Sequence, residues 1–194
     1  VDNYSGCISG FPLHSKDETA EVLIEIIEKQ QNKLNYYLSQ VCSDGGTEFV
    51  NKKFSEYLTS KYIKHLVSKP YHPEHNGRAE WANRTIVESI RTTLNNTSLP
   101  SNMWHEVVKS CYLMLNQIPG GKATKSPFKL LHGKSLPASY IRPVGSLCIY
   151  LLNRKHKGHK LNQKGETGLL VGFLPQFLSY QILTKKSSSI STKH

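Results

Sequence analysis

From residue 15 to residue 117 the apolar residues switch repeatedly between helical spacing and short unbroken runs. Only helices layered on a small sheet accommodate that alternation. Ser15-Lys16-Asp17-Glu18 is a capping box that opens a periodic stretch with Ala20, Leu23, Ile24, Ile27 and Leu34 on one face, which predicts a helix to about Tyr37. Residues 38–43 then predict a buried strand that ends in Asp44-Gly45-Gly46 and so delivers a carboxylate into a glycine turn. A helix is predicted over 51–61, a strand over 63–68 and a long helix over 78–95, the last with Ala79, Ala82, Ile86, Ile90 and Leu94 in one stripe. A further helix from 99 to 117 is predicted to bury Trp104, Val107, Val108 and Leu115. Upstream of all these, residues 2–13 alternate in the manner of two short strands.

After residue 118 the character changes. Proline, glycine and lysine dominate 119–143 around one short apolar helix, and strand-like runs follow at 146–152, 167–173 and 178–183. The organisation predicted is an α/β core over 1–118, a linker over 119–143, a small β module over 144–184 and a frayed basic tail over 185–194. Residues 69–77, with two prolines and a glycine and almost no apolar content, predict an exposed loop just before the long helix.

Composition narrows the partners. The 194 residues carry 25 Lys+Arg against 14 Asp+Glu, a net charge of +11, which concentrates polyanions at the surface and puts nucleic acid first. A basic surface kept for solubility is the competing reading. At 38% hydrophobic the chain can build a core, and no apolar run approaches membrane-helix length. The four cysteines are 35 or more residues apart, a spacing that suits reduced thiols better than a disulfide scaffold or a cysteine zinc site. His72 and His75 likewise lack a cysteine pair nearby for zinc. Val1-Asp2-Asn3-Tyr4 carries neither an initiator methionine nor a leader pattern, and reads as an internal cut in a longer protein.

Asp44, at a strand end, and Glu80, in the first turn of a helix, are separated by 35 residues. Oxygen ligands of this kind suit Mg²⁺, which is commonly held by one or two carboxylates plus waters and substrate phosphates. Taken alone, the pair is equally a turn aspartate and a glutamate answering a helix dipole.

The surrounding residues sharpen this. Ser43-Asp44-Gly45-Gly46-Thr47-Glu48-Phe49, Pro70-Tyr71-His72-Pro73-Glu74-His75-Asn76-Gly77-Arg78-Ala79-Glu80 and Asn83-Arg84-Thr85 resemble the retroviral-type integrase core of copia-type LTR retrotransposons. The likeness continues through Leu99-Pro100, Trp104, Asn116, Ser126-Pro127 and Val144-Gly145, and Gly168-Leu169-Leu170-Val171-Gly172-Phe173 looks like that family's SH3-like module. It implies an RNase H-like mixed sheet flanked by helices, and Mg²⁺- or Mn²⁺-dependent polynucleotidyl transfer that inserts element DNA into target DNA. Asp44 and Glu80 match the second and third acidic positions of the family motif.

The first acidic position lies on the family's opening strand. The strand after it carries an Asp-aromatic-Ser pattern that Asp2-Asn3-Tyr4-Ser5 matches, so the resemblance leaves the first aspartate and opening strand outside this chain and implies an inactive fragment. It also implies a homo-oligomer, no membrane partner, and work in the nucleus and in a cytoplasmic virus-like particle. The alternative is a decayed or domesticated module that binds nucleic acid without chemistry.

For DNA contacts, Glu80, Asn83, Arg84 and Val87 share one helix face, so Asn83 and Arg84 sit beside the carboxylate, where Arg84 can grip a phosphate or pair with Glu80. In the preceding loop, Tyr71 can stack on a base while Lys69, His72 and His75 approach phosphates, and Asn76 is a further candidate DNA contact. The run with Arg154, Lys155, Lys157 and Lys160 reads as a phosphate-tracking strip or as a solvated loop. Trp81-Ala82 departs from the family, whose members usually carry a basic pair there, and Arg78 replaces a small apolar residue.

Overall fold

The computed structural model describes residues 1–35, 37–68, 77–121, 123–151, 164–184 and 190–193. The chain forms two compact units, Phe11–Ala82 and Val1–Gly10 with Asn83–His194.

In the first unit, α1 (Thr19–Leu34), β1 (Gln40–Ser43), α2 (Lys52–Ser60) and β2 (Lys64–Val67) follow in turn, and α3 (Gly77–Asn95) begins. Strands β1 and β2 pair in parallel, Gln40 against Lys64 through Ser43 against Val67, and the Ser68 N–H extends the ladder to the Ser43 carbonyl at 2.9 Å. Both helices bury one face: Ala20 and Ile27 of α1 meet Phe54 and Leu58 of α2 and Ile63, with Leu23, Ile24 and Val41 packed around them. Phe54 is 0% exposed, which makes it the centre of this core.

Three expectations need correction here. The capping box forms only in part: Ser15 makes no side-chain cap, a 3₁₀ turn at Lys16–Glu18 precedes α1, and Glu18 accepts a hydrogen bond from the His14 N–H at 3.3 Å. α1 stops at Leu34 because Asn35 takes the left-handed conformation, with φ 51°, where a short polar side chain is tolerated. Strand β1 is not buried along its length; Gln40 and Cys42 are exposed and only Ser43 is buried, because a two-stranded sheet offers one face to the helices.

In the second unit α3 continues to Asn95, followed by a 3₁₀ turn at Ser101–Met103, α4 (Trp104–Leu115) and α5 (Pro127–His132). Then come β3 (Leu147–Leu151), β4 (Gly165–Leu174), β5 (Ser179–Thr184) and β6 (Ile190–Lys193), an antiparallel sheet in that order. Val107 of α4 and Val171 of β4, both 0% exposed, meet Leu99 and Cys111 in one core. Tyr140, Leu170 and Phe173 make another. The consecutive β4 residues Leu170 and Val171 serve different cores, and the β4–β5 pairing shifts register between Leu170 and Gly172.

Residues 2–13 form no strand. Instead a turn closes with the Gly6 N–H on the Asp2 carbonyl and the Asp2 N–H on the Cys7 carbonyl, both at 2.8 Å, and Ile8 bonds to a side chain. Alternating apolar residues make a strand only where a neighbouring backbone supplies the ladder. The tail is not frayed throughout: β6 pairs with β5 from Leu183 against Ile190 to Tyr180 against Lys193. Trp104 is 46% exposed, edge-on to His105, because α4 turns Val107, Val108 and Cys111 inward instead. Leu115 is half-buried. Within the stretch read as a linker, Ser126 caps α5, Phe128 is buried, and Tyr140 lies in the core.

Candidate functional site

Asp44 follows β1 directly, so the β1–β2 register fixes where its backbone emerges. Ser43, the last residue of the strand, tightens that exit: its hydroxyl donates to the Asp44 carbonyl at 2.9 Å and lies 2.9 Å from His65 Nε2 on β2. The His65 ring stands edge-on to buried Phe54, tying the strand end to the core. Asp44 itself is exposed, and its Oδ1 accepts the Gly46 N–H at 3.2 Å, an Asx turn that aims the carboxylate over the glycines.

Gly46 lies close beneath two side chains. A β-carbon there would lie 2.7 Å from Glu48 Oε2 and 3.1 Å from Asp44 Oδ1, so the two carboxylates share the ground over the bare backbone. The turn then closes with the Phe49 and Val50 N–H groups on the Gly46 carbonyl. Asn51 starts α2 by accepting the Phe54 N–H at 2.8 Å while its amide donates to the Glu48 carbonyl at 2.9 Å.

Glu80 is exposed in the first turn of α3, on the same unit as Asp44. The core stripe of that helix is as the spacing predicts, with Ala82 and Ile86 buried and Ala79, Ile90 and Leu94 half-buried. Asn83 and Arg84 are exposed on the next turn of the same helix. Lys69, Tyr71, His72, Asn76, Arg154, Lys155, Lys157 and Lys160 lie outside the described residues.

Two neighbours of the Asp44 turn escaped sequence reasoning. Glu48 joins Asp44 over Gly46, and its Oε1 lies 4.0 Å from Lys16 Nζ. Beside them opens a cavity of about 500 Å³ lined by Lys16, Glu21, Thr47, Glu48, Asn51 and Lys53. Lys53 pairs with Glu21, and its hydrogen bond and charge hold that carboxyl below the usual range. The alternation of charges at Lys16, Glu21, Glu48 and Lys53 gave no signal, because it becomes a cluster only once α1 and α2 pack.

Asp44 and Glu80 are hard oxygen donors, which fits Mg²⁺ held by two carboxylates, water and substrate phosphate. Among the described residues no group of three or more His, Cys, Asp or Glu comes together for a metal. Asp2, which opens the matched Asp-aromatic-Ser pattern, is engaged locally: Oδ2 accepts the Ser5 N–H at 2.9 Å and the Ser5 hydroxyl, and Oδ1 the Tyr4 N–H at 3.4 Å. Burial pushes its carboxyl up, and these hydrogen bonds together outweigh that and bring it below the ordinary value.

No family model matches the chain. It is 30% identical over 191 residues, 98% of its length, to the retrovirus-related Pol polyprotein from transposon RE1 of Arabidopsis thaliana. It is 27% identical over 183 residues to that from transposon TNT 1-94 of Nicotiana tabacum. The chain spans 13% and 14% of those relatives' lengths. Among solved structures, the HTLV-2 integrase catalytic core domain in complex with magnesium matches 68% of this chain and 81% of that one, at TM-score 0.50 and 23% identity. A simian T-cell lymphotropic virus intasome in complex with a PP2A regulatory subunit matches 99% of this chain and 67% of that one, at TM-score 0.55 and 20% identity. This chain is a homologue of the Pol polyproteins of copia-type retrotransposons and has the fold of the retroviral integrase catalytic core.

Proposed function

We propose that this chain derives from the integrase that inserts retrotransposon DNA into target DNA, with Asp44 and Glu80 as two of that reaction's metal-binding carboxylates. The observation that carries the proposal is their placement: one leaves the end of β1 through a glycine turn, the other is exposed in the first turn of α3, and both belong to one compact unit. Magnesium or manganese, when bound, would neutralise phosphate charge and favour the attacking and leaving oxygens.

The reaction is two in-line phosphoryl transfers. In the first, a water oxygen bonds to a phosphorus near the element's 3′ end, the P–O3′ bond breaks, and the element keeps a free 3′-hydroxyl. In the second, that hydroxyl oxygen bonds to a phosphorus of the target while the target's own P–O3′ bond breaks and its oxygen takes up a proton. The protein's part is positioning and charge. Arg84, one turn beyond Glu80 on α3, suits a bidentate grip on a neighbouring phosphate, with Asn83 beside it. The loop and strip residues named above extend the track, with the net charge of +11 supplying non-specific affinity for DNA. We place the work in the nucleus, on multimers of the chain.

Two carboxylates hold a cation more loosely than three, and Asp2 is committed to Ser5 and Tyr4. The chain alone is therefore a weak metal binder without strand-transfer turnover. Titration calorimetry with Mn²⁺ is expected to give one weak site that Asp44→Asn or Glu80→Gln removes. Binding that survives both substitutions rejects the metal assignment. Strand-transfer turnover by the unaltered chain, abolished by either substitution, shows that a further ligand is present in it. The same titration separates the binding-module reading, which the charge also favours and under which neither carboxylate affects Mn²⁺.

A further inference from the structure

Trp81 has no role in the core of its own helix. Successive residues turn about 100° around an α-helix, so Trp81 falls on the side of α3 opposite the stripe of Ala79, Ala82, Ile86 and Ile90. It is 51% exposed, although a large aromatic ring loses free energy with every part of its surface left in water.

Its surroundings are charged and polar, with the carboxylates of Glu80 and Glu88 among guanidinium groups. Arg78 stands three residues before it, Arg84 three residues after, and Arg91 on the same flank two turns further on. Arg84 is also four residues beyond Glu80, so on the helix surface it lies between the carboxylate and the indole. An exposed indole face beside guanidinium groups, on a chain of net charge +11, is complementary to a ligand that carries flat π surfaces strung on phosphates.

We infer that Trp81 stacks on an unpaired base of the DNA held at Glu80, with Arg84 on the phosphate between them. The inference rests on the reading of this site as a DNA site and narrows it, from continuous duplex to DNA with an unpaired nucleotide at the helix. A paired base inside a duplex has both faces covered by its neighbours and offers the indole nothing. A base freed from its partner offers a whole face, and the contact is indifferent to sequence because every base has one. Trp81 is on this account a positioning residue.

The test uses the full 194-residue chain carrying Trp104→Phe, so that Trp81 is the only tryptophan. The probes are a blunt DNA duplex and the same duplex with a short single-stranded overhang. The expected result is quenching of Trp81 fluorescence by the overhang duplex and little by the blunt one, with affinity for the overhang falling about tenfold on Trp81→Ala and largely kept in Trp81→Phe. Blunt-duplex affinity should be nearly unchanged by either substitution. Equal quenching by both duplexes, or an overhang preference that survives Trp81→Ala, overturns the inference while leaving the DNA reading standing. No salt-dependent binding of either duplex overturns the DNA reading and the inference with it. A DNA-free dimer of the chain that Trp81→Ala splits, with DNA affinities untouched, assigns the indole to an interface between copies and likewise overturns it.

Discussion

Asn116 shows how one side chain can settle a segment that its own composition leaves open. Its Oδ1 accepts the Ile8 N–H at 2.8 Å and its Nδ2 donates to the Ile8 carbonyl at 2.7 Å, so it does for Ile8 what a neighbouring strand would do. Asn116 and Ile8 are both buried, at 7% and 8% exposure, and water cannot replace the lost partner. Asn116→Ala leaves a buried donor and acceptor unmet, which costs roughly 3 kcal/mol. Urea unfolding followed by circular dichroism should show that loss, and a change below about 1 kcal/mol would mean that Ile8 has another route to satisfaction. The sequence places Asn116 among the family's motif residues without saying what it does. Its bond spans 108 positions, and nothing local to either residue announces it.

Elements divide by whether their cause is local. The stripe of α3 was readable because the spacing of its apolar residues acts within a few positions. β6 was not readable, since its Ser and Lys residues look like tail and its stability comes from the β5 backbone and from Ile190 against the core. The site divides in the same way. Asp44 and Glu80 were placed correctly on a strand end and a first helical turn, whereas Glu48 over Gly46 depended on how the turn closed. Glycines within strands carry a comparable hidden constraint. A β-carbon on Gly168 of β4 would lie 2.4 Å from Ile182 Cγ2 and 2.8 Å from the Leu183 carbonyl oxygen, and the latter cannot move without breaking the β4–β5 ladder. Gly168→Ala is therefore expected to cost about 2 kcal/mol, while Gly45→Ala, with nothing within 4 Å, should stay within about 0.5 kcal/mol of the parent. Paired urea midpoints check this, and equal midpoints would show that the sheet yields more readily than its geometry implies.

At the scale of the whole molecule, each unit has a core of its own, and their stabilities should be separable. One is centred on Phe54 with Leu58, Ile27 and Ile63; the other unit has a core on Val107 and Val171 with Leu99 and Cys111 beside the one on Tyr140, Leu170 and Phe173. Truncating Phe54 to alanine opens a cavity at a fully buried position and costs about 3 to 5 kcal/mol; Val107→Ala removes less, about 1 to 3 kcal/mol. Two units with separate cores in one chain are the usual circumstance in which a single unfolding free energy stops being defined. Hydrogen exchange resolved by peptide separates them. Phe54→Ala should raise exchange in α2 and β2 while β4 and β5 keep their protection, and Val107→Ala should do the reverse. α3 belongs to both units, since the boundary between Ala82 and Asn83 falls inside it, so its amides should respond to either substitution. Uniform loss of protection across the chain from Phe54→Ala alone would show that the two cores unfold as one.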